Sequence, residues 1–289
     1  MGRASRLSYN KLCEIEDFED GELRGLMRTL FSHELERFGP DFPKGCEYRK
    51  YWEVAMTFRA LQDFGVLRHD AQILGVGAGN EPTIFLLTRS AGRVFATDLY
   101  LEEGAWSESA NASMLVDPGR HWPSEWNPRR LVVQHMDGLC LNYEDESFDG
   151  IFSSSAIEHF GGYEEVRRAL GEMHRVLRRG GVLALSTEFR LEGSAAGLPE
   201  ILMFDESDLF ANIISPFSWT LLSPLELSLS PETRELELSF STAAADVRSH
   251  LGRYGGLVYH KLDWSRYPHV LLREGELLWT SLHLALRKP

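Results

Sequence analysis

Cysteine is scarce in this 289-residue chain: Cys13, Cys46 and Cys140 are the only three, and they form no CxxC pair. An odd, scattered set excludes a disulfide framework and a structural zinc site and suits reduced thiols in a cytoplasm. Long apolar runs are lacking too. None approaches the roughly 20 residues that span a bilayer, so no membrane association is expected. An apolar signal core is also missing, because the basic start Met1-Gly2-Arg3 leads into an acidic stretch at 14–20; a cytoplasmic location is the expectation. Positive charge is short as well: 30 Lys and Arg against 43 Asp and Glu leave a formal net charge of -13. A nucleic-acid partner, which needs a basic face to displace counterions, is therefore disfavoured.

Hydrophobic residues make up 43% of the chain, enough for a substantial core in one catalytic domain with extensions. Residues 1–65 read as an N-terminal helical extension. Apolar positions at helical spacing run through 11–38, and a second helix at about 48–64 is stopped by Gly65. From 66 to 289 strand and helix patterns alternate: strands at 72–76, 94–97, 131–135, 150–152 and 182–186, helices at 82–89 and 163–179. That order specifies an α/β fold, a mostly parallel sheet covered by helices on both faces. An insertion on the acceptor side is expected at about 190–270, with a helix near 206–213. The closing segment 276–286 reads as a strand fit for antiparallel insertion.

The chemistry gathers where those strands end. Gly75, Gly77 and Gly79 let backbone N–H groups approach a ligand that side chains would obstruct. Pro82 opens the following helix, whose N-terminus favours an anionic group. A dinucleotide fold wants G-x-G-x-x-G, and Asn80 at the sixth position breaks that fingerprint, which weakens a nicotinamide oxidoreductase reading. Asp98, 19 residues after Gly79, can accept both hydroxyl hydrogens of an adenosine ribose. Asp137 ends the next strand, where it can accept an adenine amino group.

With Phe148-Asp149-Gly150-Ile151-Phe152-Ser153 and Arg175-Val176-Leu177-Arg178-Arg179-Gly180-Gly181-Val182-Leu183 added, the chain resembles the class I S-adenosylmethionine-dependent methyltransferases over about 48–190. The resemblance implies a doubly wound, Rossmann-like sheet of seven strands with the last inserted antiparallel. S-adenosyl-L-methionine would lie across the strand ends, contacting Gly75, Gly77, Ala78, Gly79, Asp98 and Leu99. Met136, Asp137, Gly138, Ser153 and Ser154 complete that edge. Two positions depart from the family: it usually has an acid where Gly75 stands and a glycine where Glu81 stands. Glu81 either orients the donor's amino group or caps the helix. Arg49 is placed to pair with the donor's carboxylate.

Methyl transfer to a hydroxyl gains from a base, and His159, beside Glu158, is the candidate because imidazole titrates near neutrality. Relatives that spell this region E-x-x-E-H hold magnesium there. Here the first acid is Ser155, so magnesium is not favoured unless His174, Glu188 or the acceptor completes the shell. Trp106, Trp122, Trp126, Trp219, Trp264 and Tyr267, with Glu188, Arg190, His260, Asp263 and His269, suit a hydroxylated acceptor. O-methylation of a carbohydrate or natural-product hydroxyl is the expected activity. A non-catalytic donor-binding regulatory subunit and an N- or C-methyltransferase are the alternatives, and oligomeric state, a homo-oligomer included, stays open.

Overall fold

A computed structural model describes residues 8–102, 109–240 and 268–289. Strand β1 (Asn10–Leu12) leads into α1 (Gly21–Leu30), α2 (Ser32–Phe38) and α3 (Arg49–Asp63). The alternating part runs β2 (Gln72–Val76), α4 (Pro82–Leu87), β3 (Arg93–Asp98), the one-turn α5 (Ser113–Val116), β4 (Leu131–His135), β5 (Phe148–Ser154), α6 (Tyr163–Val176) and β6 (Leu177–Glu192). Beyond it lie β7 (Gly197–Leu198), β8 (Ile201–Leu202), α7 (Glu206–Leu209), β9 (Thr220–Leu221), β10 (Leu225–Glu226), α8 (Pro231–Arg234) and β11 (Glu237–Ser239). Then come β12 (Leu271–Glu274) and β13 (Leu277–Arg287).

The main path of the sheet is β10-β1-β13-β6-β5-β2-β3-β4. From β4 to β6 every pairing is parallel, and β13 joins antiparallel along β6, from Leu278 opposite Glu192 to Arg287 opposite Val182. Chain order reverses between β2 and β5, so their carboxyl ends form the crevice where doubly wound sheets take ligands. Strands β9, β11 and β12 also attach, which makes eleven strands where the resemblance implies seven. The extra pairings cover what would otherwise be open edges.

Helices cover both faces because each buries one stripe. On α6 the stripe is Val166, Ala169, Leu170, Met173 and Val176, all buried; such side chains contribute about 1.5–3 kcal/mol each when fully removed from water. On the other face α3 is buried along almost its whole length, from Tyr51 to Leu61.

Three boundaries differ from the sequence reading. The N-terminal extension is not all helical: Lys11 and Leu12 pair with His283 and Leu282 of β13. Helix α6 stops at Val176, not at 179, because Leu177 turns extended and pairs with Phe148 of β5. The helix expected at 206–213 is present over 206–214, but only its first turn, α7, is α-helical, and Phe210–Ile214 continues it as a π-helix. No helix among the described residues is long and apolar enough to cross a membrane.

Candidate functional site

The glycine loop leaves β2 under tight steric control. A Cβ on Gly75 would stand 2.5 Å from the Phe152 ring and 2.8 Å from the Ala78 Cβ. The acidic residue that the resemblance leads one to expect there has no room, because Phe152 of β5 takes the space. Gly77 has φ +62°, and a Cβ on it would meet Ala156 at 2.5 Å, so glycine is required on both conformational and steric grounds. Ala78 donates its N–H to the Thr97 carbonyl at 3.0 Å, which pins the loop to β3.

Asp98 ends β3 with its carboxylate turned into this loop. It accepts from the Gly79 N–H at 2.8 Å and from the Leu99 N–H at 2.7 Å. Burial pushes its carboxyl up, and those two N–H bonds oppose the rise. One bond on each oxygen leaves a second lone pair on each for a diol. Leu99 is exposed beside it. Met136 donates its N–H to the Asp98 carbonyl, and the exposed Asp137 accepts from the Leu139 N–H at 2.8 Å. Phe160, which the sequence reading passed over, bridges the two loops. Its ring lies 3.2 Å from where a Gly77 Cβ would be and 3.1 Å from where a Gly138 Cβ would be.

A chamber of charge lies between that loop, the start of α3, the end of β5, the short turn Ile157–His159 and β6. Lys50 meets Glu81 at 3.0 Å and Glu53 at 3.5 Å, and donates to the Ser154 carbonyl at 3.0 Å. Burial opposes its charge, yet Glu81 and Glu53 hold the ammonium above its ordinary range. Arg49 pairs with Glu188 at 2.8 Å and lies 3.9 Å from Glu53. Lys50 is thus the cation that meets Glu81 of the glycine loop, with Arg49 beside it on Glu188. Glu81 makes no side-chain cap on α4, so the capping alternative does not hold in this geometry. Burial raises the carboxyl of Glu81, and its Oε2 has no partner.

Ser155, at φ +49°, is strained for a residue with a side chain. It is held by N–H bonds to Ser186 and by a hydroxyl bond to Glu53. The Ser153 hydroxyl is fully buried and unpartnered. The turn Ile157–His159 that follows carries Glu158 and His159. Glu158 is 1% exposed and accepts from the Thr187 hydroxyl at 3.1 Å. Burial, then the nearby Glu188, push its carboxyl up to about 8. Its Oε1, like Glu188 Oε2 and one Arg49 nitrogen, Nη1, has no partner. His159 points Nδ1 at the Glu200 carbonyl at 2.7 Å, and burial lowers its basicity. A neutral ring donating from Nδ1 carries its lone pair on Nε2.

Glu158 and His159, with Gly161 and residues 196–202, line a cavity of about 710 Å³. This is ample for a small molecule, and its wall is the β7–β8 hairpin of the expected insertion. Other residues selected from sequence fall elsewhere. Trp122 and Trp126 pack on Phe85, Trp219 packs on His174 and Phe217, and Arg190 binds Asp205 and Asp208. His269 is buried beside Tyr48. Trp106, His260, Asp263, Trp264 and Tyr267 lie outside the described residues. No group of three or more His, Cys, Asp or Glu among the described residues is placed to hold a metal ion.

Residues 74–185 match a protein-family model described as Methyltransferase domain. The 27-O-demethylrifamycin SV methyltransferase of Amycolatopsis mediterranei (strain S699) is 32% identical over 133 residues, 46% of this chain and 43% of that protein. The chain thus spans less than half the length of this curated relative. Among solved structures, the [4+2]-cyclase SpnF has a TM-score of 0.52 at 19% identity, covering 98% of this chain and 99% of its own. The geranyl diphosphate C-methyltransferase of Streptomyces coelicolor A3(2) has a TM-score of 0.51 at 12% identity, covering 98% and 90%. At such identities the likeness is one of fold.

Proposed function

We propose that this chain, which through residues 74–185 belongs to the class I S-adenosylmethionine-dependent methyltransferases, transfers the donor's methyl group to a hydroxyl of a small acceptor, a carbohydrate or hydroxylated natural product. The observation that carries this reading is Glu158, a buried carboxyl with one unpartnered oxygen, lining a roomy cavity next to the loop edge. The rifamycin-type acceptor in the name of the Amycolatopsis relative is in keeping with it.

The residues fit the donor by their chemistry. Asp98 keeps lone pairs for a ribose diol, and the glycine loop presents backbone without side chains. Glu81 Oε2 and Arg49 Nη1 offer an unpaired acceptor and donor for amino-acid groups. When bound, the donor supplies an electrophilic methyl carbon on a positively charged sulfur. The acceptor oxygen forms the new C–O bond as the C–S bond breaks, its electrons passing to sulfur to leave a neutral thioether. The acceptor's proton goes to Glu158, which is close to the cavity and tuned near neutrality. His159 acts as a hydrogen-bonding neighbour rather than the base, because burial lowers the imidazole's basicity while the Glu158 carboxyl beside it is raised.

Two measurements test this. Calorimetric titration with S-adenosylhomocysteine and with NAD should give binding for the first alone. Labelled-methyl transfer should then appear on some member of a panel of sugars, phenols and macrolactam alcohols. Donor binding with no transfer to any oxygen acceptor would turn the reading to a regulatory subunit.

A further inference from the structure

Four glutamates, Glu53, Glu81, Glu158 and Glu188, share the chamber, and among the described residues two cations stand at bonding distance, Arg49 and Lys50. The acids are not equally served. Glu188 has the Arg49 guanidinium at 2.8 Å and Glu81 has the Lys50 ammonium at 3.0 Å. Glu53 takes the Ser155 and Ser281 hydroxyls as well as both cations. Glu158 has the Thr187 hydroxyl at 3.1 Å and a backbone N–H bond within its own turn, no cation at bonding distance, and one oxygen without a partner. Burial raises the carboxyls of Glu81, Glu158 and Glu188 alike, and of these Glu158 is the one with no cation at bonding distance, so the geometry favours it as the holder of a proton. Among the described residues, no cation from the other elements packed on its turn comes to bonding distance. Tyr163 of α6 turns its hydroxyl to Met203 and Asp208, and the β7–β8 hairpin offers a carbonyl to His159.

Resting on the donor reading above, we propose that burial and Glu188, which is paired with Arg49, keep Glu158 protonated in the donor-free chamber, and that the positively charged donor expels that proton. The base is then made only when a methyl group is present to transfer. Charge is conserved at every stage. With one proton the four acids and two cations carry one net negative charge; the donor adds one net positive charge and frees the proton to water through the cavity that Glu158 lines, which leaves chamber and donor together with one net negative charge. Methyl transfer then turns the sulfonium into a neutral thioether while the acceptor's proton returns to Glu158. The chamber ends in its starting protonation state. Glu188 acts through Glu158 and is a positioning residue.

The test is calorimetry on the full chain at neutral pH, in two buffers of different ionisation enthalpy, with S-adenosylmethionine and S-adenosylhomocysteine as the probes. The sulfonium donor should release about half to one proton more per site than the thioether. Glu158→Gln should abolish that difference, which removes protons exchanged by the ligand's own amine, and Glu188→Gln should shrink it. In the unaltered protein the difference should fade near pH 9.5, roughly 1.5 units above the Glu158 midpoint, so the outcome does not depend on a variant folding. Equal proton counts for the two ligands, or a difference that survives in Glu158→Gln, would overturn the proposal while leaving donor binding intact. Absence of any binding heat with either ligand would overturn the donor reading and this proposal with it.

Discussion

At one end of α3, Arg59 meets Asp20 at 3.2 Å, Asp63 at 3.3 Å and Glu22, while the Tyr9 hydroxyl closes on Asp63. At the other end, about 15 Å along the axis, Arg49 and Lys50 face four glutamates. Both clusters hold more acid than base, yet they differ in what is left over. Around Arg59 no side-chain atom is buried without a partner, and two of the acids are over 40% exposed. In the chamber, Arg49, Glu81, Glu158 and Glu188 each keep an unpartnered buried atom. A buried polar atom without a partner costs about 1–3 kcal/mol, and the chamber gathers four of them in one place, whereas others in the fold, such as those of Trp122, Trp219 and Trp279, are scattered. That concentration of unmet hydrogen-bonding capacity, rather than charge, is what sets the proposed site apart from the Arg59 cluster.

The sharpest way to break that contrast is Glu158→Gln. If the chamber is catalytic, kcat should fall by about 10²–10⁴-fold with thioether binding nearly unchanged, as measured by transfer assay and titration. A loss of binding equal to the loss of rate would make Glu158 a packing residue like those around Arg59. Next in size is Asp98→Ala. Losing hydrogen bonds to a charged acceptor is worth about 1.5–3 kcal/mol, so donor affinity should weaken by about 10- to 150-fold in a titration. An unchanged dissociation constant would remove the ribose role.

A third expectation concerns stability. The Glu158 carboxyl is pushed up to about 8 by burial and Glu188, against about 4.3 in an unfolded chain. The folded state thus binds more protons between those values, and stability contributed by the protonated carboxyl is lost as pH rises through that window. The slope is at most about 1.4 kcal/mol per pH unit. Denaturation of Glu158→Gln should lack this slope, so the variant gains on the parent between pH 6 and pH 8 by about 1 kcal/mol per unit. Parallel pH profiles would place Glu158 in a better-solvated setting than the chamber.

The two ends of α3 also show what a sequence can and cannot disclose. The loop Gly75–Gly79, Asp98 and Asp137 stand at strand ends that hydrophobic periodicity locates, and they meet at one sheet edge because parallel strands put their ends together. Lys50, Phe160 and Glu188 were passed over as donor-side residues, since their place depends on how α3 and β6 dock across the sheet. Arg49 and Lys50 are adjacent, and only the helix's rotation on β5 and β6 decides which reaches Glu81. Strand β1 was hidden for a related reason. Three residues carry no readable period, and Lys11 and Leu12 become strand because β13 offers an edge to pair with. Phe152 explains Gly75 only once β5 lies against β2.

The smallest effect belongs to the satisfied end. Arg59→Met keeps the aliphatic stem that packs there but removes the charge. Exposed or half-exposed ion pairs contribute about 0.2–1 kcal/mol each and are screened by salt; with Glu22 and Asp63 open to solvent, the total loss should be about 1 kcal/mol. Denaturant midpoints at low and high salt should converge, and turnover and donor affinity should not change, because nothing at Arg59 reaches the chamber except the helix itself. A change in kcat without a change in stability would mean that α3 transmits charge or strain between its ends, and the two clusters would then have to be treated as one.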